Sequence, residues 1–432
     1  MTGTAHRTLI RVPRVVCGVI AAGLLLGMTI VFADADSAEK TLLVWAADKA
    51  HIAPDFLAVV NFDRDSNDYG TVLRTVPLSG AGATGNEPHH VGLSRDGRTM
   101  ALGGLLSVLR GQDQVFFFDV TDPRQPAFIR SNNPPESSIT DELVPLDNGG
   151  FLVSFMGGAD GAHPGRVVEY DAGLSFVRAW PVNPPTDGFN PHGLSIDEAH
   201  NVMVTSDFIC PVRTLHVHGG DTADLRSSVR VWDLASRAIT RTIAVGNPAH
   251  PAGTMDIQLI PRDQRLRAFT AGMVDDTLYL VDTQEGTATA VFKFDAFATA
   301  NVPAMPQLLR VNKEGTRLFV TLNGAGKVVM FNIARPDHPE ILSVADLGPG
   351  SGPHYLQLTS DEKRLVVTDY FLVEDLAPGG VVAVEGDHKI HVINVQGNRL
   401  ELDTRFDLDF NRDIGTGPAR PHGVVLLPAR DR

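Results

Sequence analysis

The chain has 432 residues but only two cysteines, Cys17 and Cys210. Cys17 lies in an N-terminal apolar run, so no internal disulfide is expected and a cysteine-rich zinc site is excluded. The sequence also lacks a nucleophile elbow, a phosphate-binding loop and a dinucleotide fingerprint, because GAGATG at 80–85 does not stand between a strand and a helix. These absences argue against several common classes of enzyme.

Basic residues are outnumbered by acidic ones. Lys and Arg number 37 against 51 Asp and Glu, which gives a formal net charge of −14. An acidic chain without a lysine- or arginine-rich patch argues against binding to nucleic acid or to an anionic membrane surface.

The first 35 residues differ from the rest. Arg7, Arg11 and Arg14 precede an uncharged apolar run from Val15 to Ala33, which leads into an Ala-x-Ala site at 33–35. This order is typical of a secretory signal peptide, and the run is also long enough for an uncleaved membrane anchor. We therefore expect residues 36–432 to form one exported domain, periplasmic or secreted, with membrane contact only through such an anchor.

A hairpin unit recurs along this domain. In GSGPHYLQLTSDEKRLVVTDY, residues 350–370, two apolar strands flank a charged turn. Similar units occur near residues 89, 140, 192, 256, 307 and 422, and further strands follow most of them. Long helical stretches are few, so this repetition predicts an all-β, seven-bladed β-propeller.

The last repeat begins at His422 and leaves no room for the other strands of its blade. The N-terminal strands within residues 41–76 are therefore predicted to complete that blade. Closing the ring in this way would leave no sheet edge exposed.

The first strand of each blade lines the central channel, so residues at one register form a ring. In chain order the alignment gives His89, Thr140, Asn190, Asp256, Gln307, His354 and His422. Because side chains alternate along a strand, His192 is expected on the same face as Asn190 but one layer deeper. By the same alternation His90 should point to the opposite face.

Three of these histidines belong to neighbouring blades once the ring closes. His354, His422 and His89 are predicted to converge, and neutral imidazoles are good ligands for copper, zinc or another divalent metal. His192 is predicted as a further ligand. Possible ligands or supporting hydrogen-bond partners are His90, Asp256, Gln307 and, at the channel mouth or a corner, His250. The alternative is a Pro-His corner inherited by the repeats for packing alone.

Other candidates are weaker. His216 and His218 alternate on one face of a segment that fits a flexible loop better than a metal site, and Cys210 is a possible soft copper ligand or a buried thiol. Four histidines fall in turns and are expected in solvent: His163, His200, His338 and His388.

Several segments together resemble the selenium-binding protein family: APDFLAVVNFD, EPHHVGLS, HNVMVTSDF, VRVWDL and GPHYLQLTSDEKRLVVT. The resemblance covers residues 41–428 and includes His89, His90 and His422. It implies a seven-bladed propeller. In bacterial members it implies a copper-dependent periplasmic oxidase that converts methanethiol and O2 to formaldehyde, hydrogen sulfide and hydrogen peroxide. The cysteine segment that larger members carry before the first strand is absent from residues 35–43, and nothing in the sequence indicates selenium binding.

Two other functions stay open. A propeller can bind a metal, selenium or a protein ligand without catalysis, because the fold alone does not choose the chemistry. A metal-dependent hydrolase such as a lactonase would need more carboxylates in the ring, where the alignment supplies only Asp256.

Overall fold

Seven antiparallel sheets arranged as blades make up the fold, as the repeats predict. The computed structural model describes residues 39–214, 224–299, 301–370 and 384–428. The predicted signal or anchor at residues 1–35, and His216 and His218, lie outside the described residues. Within these ranges no helix is long and apolar enough to cross a membrane.

Blades 1 to 3 each contain four strands. Blade 1 comprises β4 (Pro88–Leu93), β5 (Thr99–Gly104), β6 (Val115–Asp119) and β7 (Ala127–Asn132). Blade 2 comprises β8 (Ser138–Pro145), β9 (Phe151–Gly157), β10 (Arg166–Tyr170) and β11 (Phe176–Trp180). Blade 3 comprises β12 (Pro191–Asp197), β13 (Val202–Ile209), β14 (Leu225–Asp233) and β15 (Ala238–Ala244).

Blades 4 to 6 continue the pattern. Blade 4 comprises β16 (Thr254–Leu259), β17 (Arg267–Gly272), β18 (Thr277–Asp282) and β19 (Thr287–Lys293). Blade 5 comprises β20 (Pro306–Val311), β21 (Arg317–Leu322), β22 (Lys327–Asn332) and β23 (Glu340–Asp346). Blade 6 comprises β24 (Leu356–Leu358), β25 (Arg364–Thr368), β26 (Lys389–Gln396), β27 (Arg399–Leu402) and β28 (Leu408–Asp409). Short helical turns occur at Ser107–Arg110, Pro211–Thr214 and Asp295–Phe297.

Blade 7 joins the two ends of the described chain. Its strand order is β29 (Ala419–Pro428), β1 (Glu39–Asp48), β2 (Phe56–Asn61) and β3 (Val72–Pro77). Leu43 pairs with Val425 in an antiparallel ladder. The predicted closure by N-terminal strands is therefore confirmed, and it brings the last strand next to the first strand of blade 1.

The core lies between neighbouring blades. Strands β2, β9 and β18 are buried along their whole length, whereas the outer strands β3 and β7 are mostly exposed or half-buried. Large side chains fill the spaces between sheets, as Trp45 does by packing beside Phe116 and donating its indole N–H to Gly103 O at 2.8 Å. This packing holds the innermost strands in fixed positions around the channel.

Candidate metal centre

A β-bulge occurs at the same place in nearly every innermost strand. The pairing register shifts between Pro88 and Val91 in β4, and at the matching positions of β8, β12, β16, β20 and β29. Each bulge leaves two consecutive residues outside the ladder, and such residues do not follow strand alternation. The innermost strands therefore present two adjacent side chains where an ordinary strand would present one.

The bulges define two layers of channel residues. The first bulge positions, together with the matching residue before β24, are His89, Asp141, His192, Met255, Gln307, His354 and His422. The second positions are His90, Glu142, Gly193, Asp256, Leu308, Tyr355 and Gly423. Four of the seven residues in the first layer are histidines, which concentrates imidazole nitrogen at one depth of the channel.

Hydroxyl groups of the second strands fix the backbone of these bulges. Thr321 Oγ1 lies 3.1 Å from the N–H of Leu308 in its own blade and donates to His354 O of the next blade at 3.0 Å. Thr368 Oγ1 donates to His422 O at 2.8 Å. Links of this kind connect neighbouring blades at the depth of the histidines, so the ring positions the candidate ligands as a unit.

Four histidines meet at this point. One ring nitrogen each of His89, His90, His354 and His422 can be chosen so that all lie within 4.8 Å of one another. The ring centroids of His89 and His422 are 4.2 Å apart, and those of His354 and His422 are 4.8 Å apart. All four side chains are buried. The predicted convergence of histidines from blades 1, 6 and 7 is therefore present in the fold.

The expectation that His90 faces away is wrong. Its ring stacks on that of His89 with centroids 4.4 Å apart and an interplanar angle of 3°. The cause is the bulge after Pro88, which turns both histidines of the PHH segment toward the channel. His90 Nδ1 lies 2.7 Å from Glu142 Oε2, so its Nε2 is the nitrogen that would face a metal.

His192 also lies elsewhere than predicted. It occupies the first bulge layer with His89 rather than a deeper one, because His192, and not Asn190, matches His89. Its Nε2 lies 3.1 Å from Asp141 Oδ2, and His89 Nε2 lies 3.4 Å from the same oxygen. A second group that could hold a metal therefore comprises His89, Asp141 and His192.

The sequence alignment missed Asp141 and Glu142. It placed Thr140 in the ring, one residue too early, because this repeat lacks the Pro-His dipeptide that four of the others carry. Thr140 instead donates its hydroxyl to Gln114 O, and Asn190 donates its side-chain amide to Met156 O. The correct register could have been found from Thr140 itself. Thr140 and Thr254 stand where the other repeats have proline, so the residue after each threonine belongs in the ring.

Of the other predicted partners, Gln307 and Asp256 lie near the channel histidines and His250 does not. Gln307 Oε1 lies 2.6 Å from His354 Nδ1. Asp256 lies in the second layer, one position off the predicted ring, and its carboxylate accepts the N–H groups of Ile257 and Leu309. His250 is exposed and belongs to none of the possible metal-holding groups among the described residues.

Of the four histidines predicted to be in solvent, three are exposed and one is buried. His163, His200 and His338 are exposed, as expected. His388 is buried, contrary to the prediction, because Nδ1 contacts Asn411 Oδ1 at 3.0 Å and Nε2 contacts Glu385 Oε1 at 3.1 Å. Cys210 is a buried free thiol, so the commoner interpretation holds.

Burial controls the charge of the centre. It lowers the pKa of His89 to about 3, and burial together with neighbouring histidines lowers the pKa values of His90, His192 and His422 well below the ordinary value. Burial also lowers the pKa of His354. These imidazoles are therefore neutral at pH 7, which is the form that binds a metal.

The carboxyl groups are shifted in the opposite direction. Burial, followed by the charge of Asp256, raises the pKa values of Asp141 and Glu142 well above the ordinary range. Among the described residues, neither buried oxygen of Asp141 has a hydrogen-bond donor. A buried carboxylate in this condition requires a proton or a cation.

The four-histidine cluster fits a metal ion. Four buried ring nitrogens of this cluster find no hydrogen-bond partner in the part of the chain that the structure describes: Nε2 of His89, Nε2 of His90 and both nitrogens of His422. Unsatisfied buried nitrogens are costly, and a shared cation would satisfy several of them at once. The donor set of neutral imidazoles suits copper and zinc and is a poor match for magnesium or calcium.

A depression leads toward the centre from one mouth of the channel. Residues of six blades line it, among them Glu142, Gln258, Arg310, Tyr355 and Gln357. Glu142 belongs to both the depression and the centre, and its side chain is 13% exposed whereas that of Asp141 is fully buried. A small molecule entering here would meet Glu142 before it reached the histidines.

Comparison with known proteins gives a consistent set of relatives. The model of the 56 kDa selenium-binding protein (SBP56) family matches residues 30–429. A methanethiol oxidase of Hyphomicrobium is 24% identical over 389 residues, which cover 86% of this chain and 84% of that protein. The human methanethiol oxidase is 24% identical over 439 residues, with 86% and 89% covered.

Two solved structures share the fold. A hypothetical selenium-binding protein from Sulfolobus tokodaii superposes with a TM-score of 0.74 and 18% identity, covering 91% of this chain and 95% of that one. A periplasmic gluconolactonase from Pseudomonas aeruginosa gives a TM-score of 0.62 and 13% identity over 90% of this chain and 99% of that one.

Proposed function

Because the chain belongs to the 56 kDa selenium-binding protein family, we propose that it is a metal-dependent oxidase of a small thiol such as methanethiol. The metal is copper, held by His89, His90, His354 and His422. The observation that carries the proposal is the contact of four buried, neutral imidazoles at one depth of the channel. The names of the distant methanethiol oxidases support the substrate class.

Neighbouring side chains orient the proposed ligands. Gln307 accepts a hydrogen bond from Nδ1 of His354, and Glu142 contacts Nδ1 of His90. Each contact leaves Nε2 as the nitrogen directed to the centre, as is usual for histidines that bind metals. His192 and Asp141 lie beside the cluster, where they would hold a second ion or limit the space open to the substrate.

The proposed reaction is balanced without a further reductant. Methanethiol, O2 and one water give formaldehyde, hydrogen sulfide and hydrogen peroxide. The thiol carbon loses two electrons, O2 gains two, and the carbon–sulfur bond breaks. Bound copper would supply a binding site for the thiol sulfur and a redox partner for the oxidation. Burial of the histidines keeps bulk water from the reacting atoms, and Glu142 lies where the thiol enters.

A direct assay tests this proposal. Metal-free protein is loaded with copper, its copper content is measured, and methanethiol is added while hydrogen sulfide and hydrogen peroxide are quantified. One copper per chain and equal amounts of both products are expected. Copper binding far below one equivalent, or intact methanethiol in the loaded sample, would overturn the assignment.

The variant His354→Ala distinguishes the oxidase from a non-enzymatic binding protein. Loss of copper and of product formation with an unchanged circular-dichroism spectrum supports the oxidase. If the variant fails to fold and the wild-type protein binds no copper, the histidines serve only for packing.

A metal-dependent hydrolase is the second candidate, because such an enzyme needs several carboxylates around the channel. The sequence predicted only Asp256 there, whereas the structure adds Asp141 and Glu142. Hydrolysis of a simple lactone by the zinc-loaded protein, with no oxidation of methanethiol by the copper-loaded protein, would favour it.

We further propose that the protein is exported, on the basis of the signal-like residues 1–35. Expression of residues 1–432 in a Gram-negative host should place the product in the osmotic-shock fraction if the signal is cleaved, or in the membrane fraction if it serves as an anchor. A chain lacking residues 1–35 should stay in the cytoplasm. Equal distribution of the two products would contradict export.

A further inference from the structure

A second group of potential ligands lies in blade 6, away from the four-histidine cluster. Asp369 directly follows strand β25, Asp387 precedes strand β26, and His391 lies within β26. One ligand atom from each can be chosen so that all lie within 4.8 Å of one another. We refer to these three residues as the blade-6 cluster.

Asp369 is the most constrained member of the cluster. It has no exposed surface, and within the described residues neither oxygen of its carboxylate has a hydrogen-bond donor in good geometry. His391 Nε2 lies 2.8 Å from Asp369 Oδ2, and this contact raises the pKa of His391 despite the opposing effect of burial. A buried carboxylate and an imidazole nitrogen thus face one another at close range, as two ligands of one ion do.

Blade 3 shows how the fold satisfies a buried carboxylate in the matching place. Arg230 pairs with Thr205, as His391 pairs with Val367, and Asp207 follows Thr205 by two residues just as Asp369 follows Val367. Asp207 Oδ2 accepts from Arg230 Nε at 2.7 Å. Its two oxygens also accept from the Ser228 hydroxyl and the Asn190 N–H.

Blade 6 therefore has a histidine where blade 3 has a permanent cation. Within the described residues no arginine forms an ion pair with Asp369, and the charged groups that act on it are His391 and Asp387, of which the second is itself negative. Since a buried carboxylate needs a counter-charge, the cation of this site must come from a proton or from an added ion.

The donor set favours a first-row divalent ion. In a tetrahedral site, bonds of roughly 2.0–2.2 Å place two ligand atoms of one ion about 3.4 Å apart. Asp369 Oδ2 and His391 Nε2 lie 2.8 Å apart, so a small movement apart would let both bind one ion. One imidazole with two carboxylates suits Zn²⁺, whereas Ca²⁺ and Mg²⁺ sites are built from oxygen alone. Lys389 is the competing cation, because its Nζ lies 3.1 Å from Asp387 Oδ2.

We propose that Asp369, Asp387 and His391 form a Zn²⁺ site that is independent of the central metal centre. Zinc displaces the Lys389 ammonium from Asp387 and supplies the counter-charge that Asp369 lacks. It also ties the end of β25 to the start of β26, so it stabilises blade 6 rather than taking part in the oxidation.

The test uses full-length protein whose central site is first filled with copper. Zn²⁺ is then titrated by calorimetry, and bound zinc is counted after dialysis. Wild type should bind one zinc per chain and gain thermal stability. Asp387→Asn and His391→Asn should each weaken zinc binding by tenfold or more and remove the gain in Tm, with copper content unchanged.

The control is His200→Ala. His200 Nδ1 also lies 2.8 Å from an aspartate oxygen, that of Asp197, but this pair is exposed. Its removal should leave zinc binding at the wild-type level. Asp387 is partly exposed, so Asp387→Asn should fold. If His391→Asn fails to fold, Asp387→Asn alone decides the test. Absence of zinc binding by wild type, or equal binding by wild type and Asp387→Asn, would overturn the proposal.

Discussion

Oε1 of Gln307 lies 2.6 Å from Nδ1 of His354, and both residues are fully buried. They occupy matching positions of the first layer of channel residues in two neighbouring blades, 5 and 6. The hydrogen bond fixes the tautomer of His354 with its proton on Nδ1 and its lone pair on Nε2. A neutral glutamine can therefore decide how a metal-binding histidine is presented.

Gln307→Leu should reduce copper affinity about 10–100-fold, because the tautomer and ring orientation of His354 would no longer be fixed. Competition against a copper chelator measures the effect. Gln114→Leu is the control, since Gln114 is equally buried but bonds to Asn133 and Ser137 rather than to a histidine. It should lower the free energy of unfolding and leave copper affinity unchanged. Equal affinities of Gln307→Leu and wild type would contradict a positioning role.

His90→Ala should bind less than half an equivalent of copper, because it removes one of four clustered imidazoles. His388→Ala is the matched control, as it deletes a buried histidine that contacts Asn411 and Glu385 outside the cluster. Metal analysis after dialysis should separate the two variants. If His90→Ala kept a full equivalent, His90 would only support the site.

Gly423→Ala should disturb the centre through the backbone. A Cβ at this position would approach His89 O to 2.6 Å, so the strands that carry His89 and His422 would have to move apart. Overpacking of this kind costs about 1–3 kcal/mol. Denaturant unfolding should reveal the loss, accompanied by weaker copper binding. Gly415→Ala, where a Cβ would meet no atom of the described residues within 4 Å, should match wild type in both measurements.

The metal-free protein should lose stability in acid partly through His89. Unfolded His89 takes up a proton below about pH 6.5, whereas burial delays its protonation in the folded state to about pH 3. The unfolded state therefore binds more protons across this window, and stability falls as the pH decreases. Between pH 6 and 4, we expect the plot of unfolding free energy against pH to be less steep for His89→Gln than for wild type, by about 1.4 kcal/mol per pH unit. Identical slopes for variant and wild type would show that His89 is readily protonated in the fold.

The architecture was predictable because it depends on features that repeat. Alternating apolar strands and charged turns recur in every blade, and the incomplete last repeat at His422 required strands from the N-terminal part of the domain. The meeting of His89, His354 and His422 followed from ring closure alone. These conclusions need only topology, which a periodic sequence specifies well.

The details of the centre depend on one extra residue per strand, which periodicity does not reveal. Strand alternation sent His90 to the wrong face, because the bulge after Pro88 interrupts it. His192 was assigned to the wrong layer, and Asp141 and Glu142 were missed, because their repeats were aligned in the wrong register. His391 escaped notice because its partner, Asp369, lies far away in sequence and meets it only through the pairing of β25 with β26.

Closure of the ring by β29 also sets an order of events during biosynthesis. His422 lies in β29, which follows the strands of the other six blades in the chain and pairs with β1. A nascent polypeptide that does not yet include β29 thus has an unsealed ring and three of the four clustered imidazoles. The complete ligand set exists only after β29 has been synthesised and has paired with β1, so copper acquisition follows ring closure.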